Sequence, residues 1–292
     1  MRLDGQRESD NVEDRRGEGG GGGGFSIGGG GLSIGAVVIA LVGGAIFGIN
    51  PLTILGMLSG GGGNAPQTQQ APAPLPPAGD KEATFVRQVL ASTEDTWGEL
   101  FKQGGATYVR PKLDLFRGAV RTGCGQGQSA MGPFYCPADQ KVYIDLDFYD
   151  TLKNRLGAPG DFAQAYVIAH EVGHHVQNLL GIADKVEQQR SRANPAQANA
   201  LSVRVELQAD CFAGVWANHA NEARKILEQG DVEEAMNAAA KIGDDALQKS
   251  RGGAIVPESF THGTSAQRQR WFNTGITTGS VKACDTFGAR TL

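Results

Sequence analysis

The stretch AHEVGHHVQ, residues 169–177, carries three of the five histidines in a chain of 292 residues, with a glutamate among them. His170 and His174 are four residues apart. On an α-helix their imidazoles leave the same face one turn apart and can reach a single metal ion. Glu171 is offset by one residue, beside such an ion, where its carboxylate can take a proton from a water molecule. Imidazole suits zinc, which also keeps a coordination position open for water. Tyr166, Val167, Ile168, Val172, Val176 and Leu179 make this helix a buried one, and buried histidines need partners. His175 follows a ligand and points about 100° away, so it reads as a packing residue or as a support for a ligand.

A zinc ion that performs chemistry takes three protein ligands. The stretch VELQADCFAG, residues 205–214, offers the third. Glu206 and Asp210 are again four apart on one helical face, among Val203, Leu207, Ala209, Phe212 and Trp216. An acidic pair in such surroundings is costly unless a cation or hydrogen-bond donors meet it. Glu206 completes a His, His, Glu set for one Zn2+ per chain. Asp210 can accept the second N–H of a ligand histidine and fix its tautomer.

Outward from these helices the chain is a composite. Residues 1–31 are polar and then almost pure glycine, and read as a disordered cytoplasmic tail. Leu32–Leu58 contains no charged residue, and its length fits a transmembrane anchor. Arg2, Arg7, Arg15 and Arg16 precede it, and no Lys or Arg follows until Lys81. The positive-inside rule therefore puts the N-terminus in the cytoplasm and the remainder outside, periplasmic or extracellular. Residues 59–79 form a Gly/Pro-rich linker, and residues 80–292 form the globular domain. The net charge of −4, with no basic block, argues against nucleic acid as a partner; the oligomeric state is left open.

Within the domain, Asp80 caps a helix to about Ala91, and a second runs to about Gln103. FYC and VYIDL around the turn PADQ read as strands. Asp161 and Gln164 suggest a capping-box start for the histidine helix, which Gly181 ends. Pro195 opens the next helix, through about Ala220. Another spans Asp231–Ser250, and Thr264 or Ser265 opens a last one through about Thr274. Four cysteines permit three pairings. Cys124 and Cys136 close a short loop, which leaves Cys211 to bond Cys284 or to stand as a buried free thiol with Cys284 frayed; an external location allows both bridges.

HExxH followed by ExxxD resembles the gluzincin pattern of thermolysin. Over nearly its whole length the chain is similar to the bacterial "putative neutral zinc metallopeptidase" family, through RESDNVEDRR (7–16), GPFYCPADQKVYIDL (132–146), HEVGHHVQ (170–177), ELQADCFAG (206–214), FTHGTSAQRQRWF (260–272) and CDTF (284–287). The resemblance implies an α+β, mostly helical zincin-like domain with a small sheet, and peptidase activity on a peptide or protein substrate. His262 and Arg268 resemble a histidine and arginine of membrane-bound CAAX-type zinc proteases. That likeness implies that His262 stabilises the oxyanion and that Arg268 braces the site through Asp210. Gly263 and Thr264 stand where those proteases carry prolines. A helix-capping loop with an exposed histidine is the plainer reading of THGTSAQR. By the same analogy SAMGPFYC, residues 129–136, is the edge strand over the cleft, with Pro133 interrupting its donors.

The expected chemistry is peptide hydrolysis by a zinc-activated water with Glu171 as general base. Two other functions fit less of the pattern: a non-catalytic, zinc-stabilised, membrane-tethered binding module, and a metal-dependent hydrolase of something other than peptides. A structural zinc site closes its fourth position and needs no base, whereas this sequence supplies one.

Overall fold

The computed structural model describes residues 1–18, 73–128, 132–250, 252 and 254–292. The apolar stretch Leu32–Leu58 and most of the Gly/Pro-rich linker lie outside these residues. No helix among the described residues is long and apolar enough to cross a membrane.

Helix α1 (Lys81–Gln103) starts where the Asp80 carboxylate accepts from the Ala83 N–H at 3.0 Å. It runs without the break expected near Ala91, because Val86, Val89, Leu90 and Trp97 continue one buried face across that point. The aromatic and β-branched runs form the expected pair. Strand β5 (Phe134–Cys136) lies antiparallel to β6 (Lys141–Asp145), and β6 lies parallel to β2 (Lys112–Phe116). A separate hairpin joins β3 (Ala119–Thr122) to β4 (Gly125–Gln128).

The remaining strand of the main sheet corrects the sequence reading. Val12–Asp14 forms β1 and pairs parallel with Leu113–Leu115, giving the order β1-β2-β6-β5. Residues 1–18 are thus folded onto the domain, where a disordered tail was expected. The segment buries little apolar surface of its own, chiefly Leu3 and Val12. What it supplies are partners for charges that the domain buries. Arg15 donates to Asp114 at 2.9 Å, Arg7 to Glu94 at 2.8 Å, and Ser9 and Asn11 to Glu94 at 2.6 and 2.7 Å. Composition judges a segment alone, and here the stabilising groups belong to residues about a hundred positions away. The two flanks of residues 19–72 also lie together: the Asp14 N–H donates to the Pro74 carbonyl at 2.7 Å, and Arg16 bridges Asp80 at 2.7 Å.

Helix α2 (Asp147–Asn154) leads to α3 (Asp161–Leu179), which carries the paired histidines. The expected capping pair at Asp161 is absent: Gly160 is the N-cap, and Asp161 instead meets the Met1 ammonium at 2.7 Å. Gly181 ends the helix in the left-handed region, at φ 68°. After α4 (Ile182–Arg190), the long α5 (Pro195–Arg224) opens on a capping box of Asn194 and Gln197. The single helix expected over Asp231–Ser250 is two, α6 (Asp231–Lys241) and α7 (Asp244–Ser250). Helix α8 (Ser265–Thr278) has a capping box of Thr264 and Gln267.

Helix α5 is the centre of the domain, packed against both α3 and α8. Two contacts need glycine. A Cβ on Gly173 would lie 3.0 Å from the Ala209 carbonyl oxygen, and one on Gly275 would lie 2.0 Å from that of Cys211. The glycine inside HEVGH therefore lets the histidine helix close on the helix that carries Glu206 and Asp210. Disulfides join Cys124 to Cys136 and Cys211 to Cys284.

Candidate metal centre

The crossing of α3 and α5 sets HExxH against ExxxD. The Nε2 atoms of His170 and His174 are 3.1 Å apart. Glu206 Oε2 lies 3.2 Å from His170 Nε2, and its Oε1 lies 3.6 Å from His174 Nε2. Tetrahedral zinc with ligand distances of about 2.0–2.2 Å has ligand–ligand edges of roughly 3.3–3.6 Å. The three side chains therefore fit a zinc ion by spacing as well as by donor type.

The far nitrogens of both imidazoles are held. His170 Nδ1 is 2.8 Å from Asp210 Oδ1, and His174 Nδ1 is 2.9 Å from Gln177 Oε1. Asp210 is fully buried and receives two guanidinium bonds from Arg268, each 2.8 Å, and one from the Tyr166 hydroxyl. Burial alone would raise the Asp210 pKa, but the Arg268 charge holds it down at about 2. Burial likewise opposes ionisation of Glu206, yet His174 and His262 keep it well below the ordinary carboxylate range. Burial disfavours a charged His170, but Asp210 and Glu206 raise it to about 10. The pocket attracts positive charge, as a proton or as a metal. Glu171 is buried, and desolvation raises its pKa.

His262 is buried with its Nε2 free of any hydrogen-bond partner among the described residues. Its Nδ1 faces Thr261 Oγ1 at 3.0 Å and Asp244 Oδ1 at 3.3 Å. The other Asp244 oxygen accepts the backbone N–H groups of Thr261, His262 and Gly263, at 2.8, 2.6 and 3.0 Å. Gly263 has φ 87°, a conformation closed to proline. The departure from the proline-bearing proteases is thus a different loop backbone.

These groups border a cleft of about 580 Å³ that contains His170, Glu171, His174, Glu206, His262 and Arg268 in its wall. Pro133, Phe134 and Tyr135 line it too, and β5 is an edge of the main sheet. Ser129–Met131, the start of the expected edge strand, lie outside the described residues. His175 takes no part in the ligand set. Burial lowers its pKa, and the ring bridges the Val109 carbonyl at 2.6 Å and the Tyr135 hydroxyl at 3.0 Å.

Residues 1–287 match the family described as "Putative neutral zinc metallopeptidase". The chain belongs to this zinc metallopeptidase family. Its relatives include the uncharacterized protein YpfJ of Escherichia coli K12, 53% identical over 292 residues that span 99% of each chain. The uncharacterized proteins Mb2605 of Mycobacterium bovis and Rv2575 of Mycobacterium tuberculosis are 44% identical over 219 residues, 71% of this chain and 73% of theirs. No solved structure gives a significant match.

Three residues at this family member's site escaped the sequence reading. Tyr166 was taken only as apolar packing, though it stands one turn before His170. Gln177 follows His174 by three positions, a helical spacing that could have identified it. Asp244 gave no such signal, because its partners lie in a loop some eighteen residues later.

Proposed function

We propose that this protein is a zinc-dependent peptidase with a zincin-like domain. The observation that carries the reading is the convergence of His170, His174 and Glu206 in one cleft, with the buried Glu171 carboxylate and the unpartnered His262 Nε2 in its wall. When bound, zinc supplies a Lewis acid that lowers the pKa of a water molecule to about 7 and polarises a carbonyl group. Glu171, its pKa raised by burial, would act as the general base toward the attacking water and then as the proton donor to the leaving amine. His262 is held at Asp244 through Nδ1; burial opposes its imidazolium form, but Asp244 and Glu206 favour it, and Nε2 would donate to the oxygen that gains charge. Arg268 and Tyr166 keep Asp210 ionised and aimed at His170 Nδ1. Edge strand β5 offers its backbone to an extended substrate, with Pro133 leaving one donor out.

Membrane attachment through Leu32–Leu58 and a location outside the cytoplasm belong to the same proposal. They are supported by the apolar composition of that stretch and by two disulfides of a kind that persist in oxidising compartments. Residues 1–18 travel with the domain in this reading.

The test is Glu171→Gln in the full chain, assayed on a mixed peptide library with zinc content measured alongside. The variant should keep about one zinc per chain, keep its fold and lose hydrolysis by at least a hundredfold, the scale of general-base catalysis. Full activity in the variant would remove Glu171 from the mechanism. Wild-type protein that binds zinc and cleaves nothing would favour the structural-zinc module.

A further inference from the structure

His174 is held by a neighbour that HExxH chemistry does not name. Its Nδ1 lies 2.9 Å from Gln177 Oε1. The Gln177 amide nitrogen donates to the Val205 carbonyl at 2.8 Å and to Gln208 Oε1 at 3.0 Å. The Gln208 amide nitrogen donates in turn to the Cys284 carbonyl at 3.0 Å. Both glutamines are buried, at 1% and 6% exposure, so their groups depend chiefly on protein partners.

The direction of this chain follows from its two ends. Backbone carbonyls only accept. The Cys284 carbonyl therefore requires the NH2 side of Gln208, which turns Gln208 Oε1 toward Gln177. The Val205 carbonyl and that oxygen then both require the NH2 side of Gln177. Gln177 Oε1 is left facing His174 Nδ1 and can only accept. The imidazole must carry its proton on Nδ1, and Nε2 keeps the lone pair that a metal needs. The far anchor is fixed as well, since Cys284 is bonded to Cys211 on α5, the helix that carries Glu206 and Asp210.

We infer that Gln177 and Gln208 form an amide relay that sets the tautomer and ring orientation of His174, as Asp210 does for His170. Both are positioning residues: neither reaches the cleft's reacting atoms, and Gln208 touches no metal ligand. The inference rests on the metal-centre reading above for its consequence, tighter zinc binding, but its structural content concerns the metal-free imidazole.

Two measurements separate these. The first is the 15N spectrum of His174 in metal-free protein at alkaline pH, which reports which ring nitrogen is protonated. Wild type should show the Nδ1–H form. Gln177→Leu removes the one acceptor that meets Nδ1 among the described residues and should release the ring to the Nε2–H form. Gln177→Glu keeps an acceptor and should retain Nδ1–H. Gln208→Leu leaves the Gln177 amide held by the Val205 carbonyl alone and should admit a minor Nε2–H population. The second is zinc affinity by chelator competition, with folding checked by circular dichroism. Gln177→Leu should weaken binding by about 10–100-fold, the usual scale for such outer partners. Gln208→Leu should weaken it less, and Gln177→Glu least.

An Nε2–H tautomer in wild type, or an unchanged Nδ1–H tautomer in Gln177→Leu, overturns the relay whatever the zinc result. Should Gln177→Leu fail to fold, Gln177→Met, which also lacks the amide oxygen, decides: an unchanged Nδ1–H tautomer there overturns it too. A wild type with the Nδ1–H form and no zinc affinity supports the relay and counts against the metal-centre reading alone.

Discussion

Two charge clusters among the described residues, one on the sheet and partly open to solvent, one buried between helices, are built to different rules. On the sheet, Glu13, Glu18 and Asp114 meet Arg15, Lys112 and Lys141 through contacts of 2.6–3.2 Å. Three carboxylates face three fixed cations, and the cluster closes on itself. Between α3, α5 and α8, the carboxylates of Glu171, Glu206 and Asp210 share one fixed cation, Arg268. That leaves two negative charges, with two imidazoles turned toward the same point. A divalent cation would restore the balance there, whereas on the sheet the charges named already balance. Both clusters are dense in ionised groups, and the deficit in fixed positive charge separates a binding site from a structural staple.

The largest expected effect is all-or-none and concerns the sheet cluster. Its carboxylate Glu13 and its cation Arg15 belong to residues 1–18, so those residues and the domain should lie on one side of a membrane. Reporters fused before Met1 and after Leu292 should read the same compartment in intact cells; opposite compartments would mean that β1 does not form in the full chain. Next come single substitutions. Arg268→Leu leaves Asp210 buried with only His170 and Tyr166 facing it, and should cost about 3–5 kcal/mol in urea unfolding. Arg15→Leu leaves Asp114 with Lys141, still 3.2 Å away, and should cost about 1–3 kcal/mol. Equal costs would erase the distinction between the two clusters. A third prediction adds metal. Zinc at a hundred times its dissociation constant should stabilise wild type by about 2.7 kcal/mol. Glu13→Gln should gain as much and Glu206→Gln almost none; a gain in Glu206→Gln that matched wild type would place the ion elsewhere.

The two regions also differ in how far the sequence discloses them. His170, His174, Glu206 and Asp210 are spelled by four-residue spacings on single helices, and helical geometry turns such spacing directly into proximity. The start of the last helix at Thr264 or Ser265 was legible from local residue type alone. Strand β1 was not, because VED is three residues long, two of them charged, and nothing local marks it as buried. Its burial depends on Asp114 and Lys141, which only the tertiary fold brings near. RESDNVEDRR was noticed as part of a family likeness, yet its physical role is visible only once Arg7, Ser9 and Asn11 are seen around Glu94. Asp244 failed for the same cause. A carboxylate that organises a distant loop looks, in sequence, like any acidic residue at a helix start.

The smallest effect is a pH dependence confined to the sheet. Burial opposes ionisation of Glu13, but Lys112 and Lys141 hold its pKa at about 2. A hydrogen bond from Arg16 lowers Asp14, and the Ala83 N–H lowers Asp80. Folded values below unfolded ones mean that these three groups contribute stability in full above about 4.5, and lose it as pH falls, for Glu13 down through about 2. Asp114 runs the other way. Burial, with Glu13 close by, pushes it up to about 6 from 3.8. Its contribution is full below the unfolded value and fades as pH rises through 6. The two trends cross, so β1 should be held most firmly near about pH 4.5, weaken from there to about 6, and change little above it. Amide protection factors at Leu113 and Arg15, whose N–H groups donate to the Asn11 and Leu115 carbonyls, should peak near that pH, falling on the acid side and again toward pH 6. Asp114→Asn removes the upper decline and keeps the lower one. Protection that rises steadily from acid to neutral pH in wild type would show that Asp114 stays ionised throughout, and that Lys141 and Arg15 outweigh its burial.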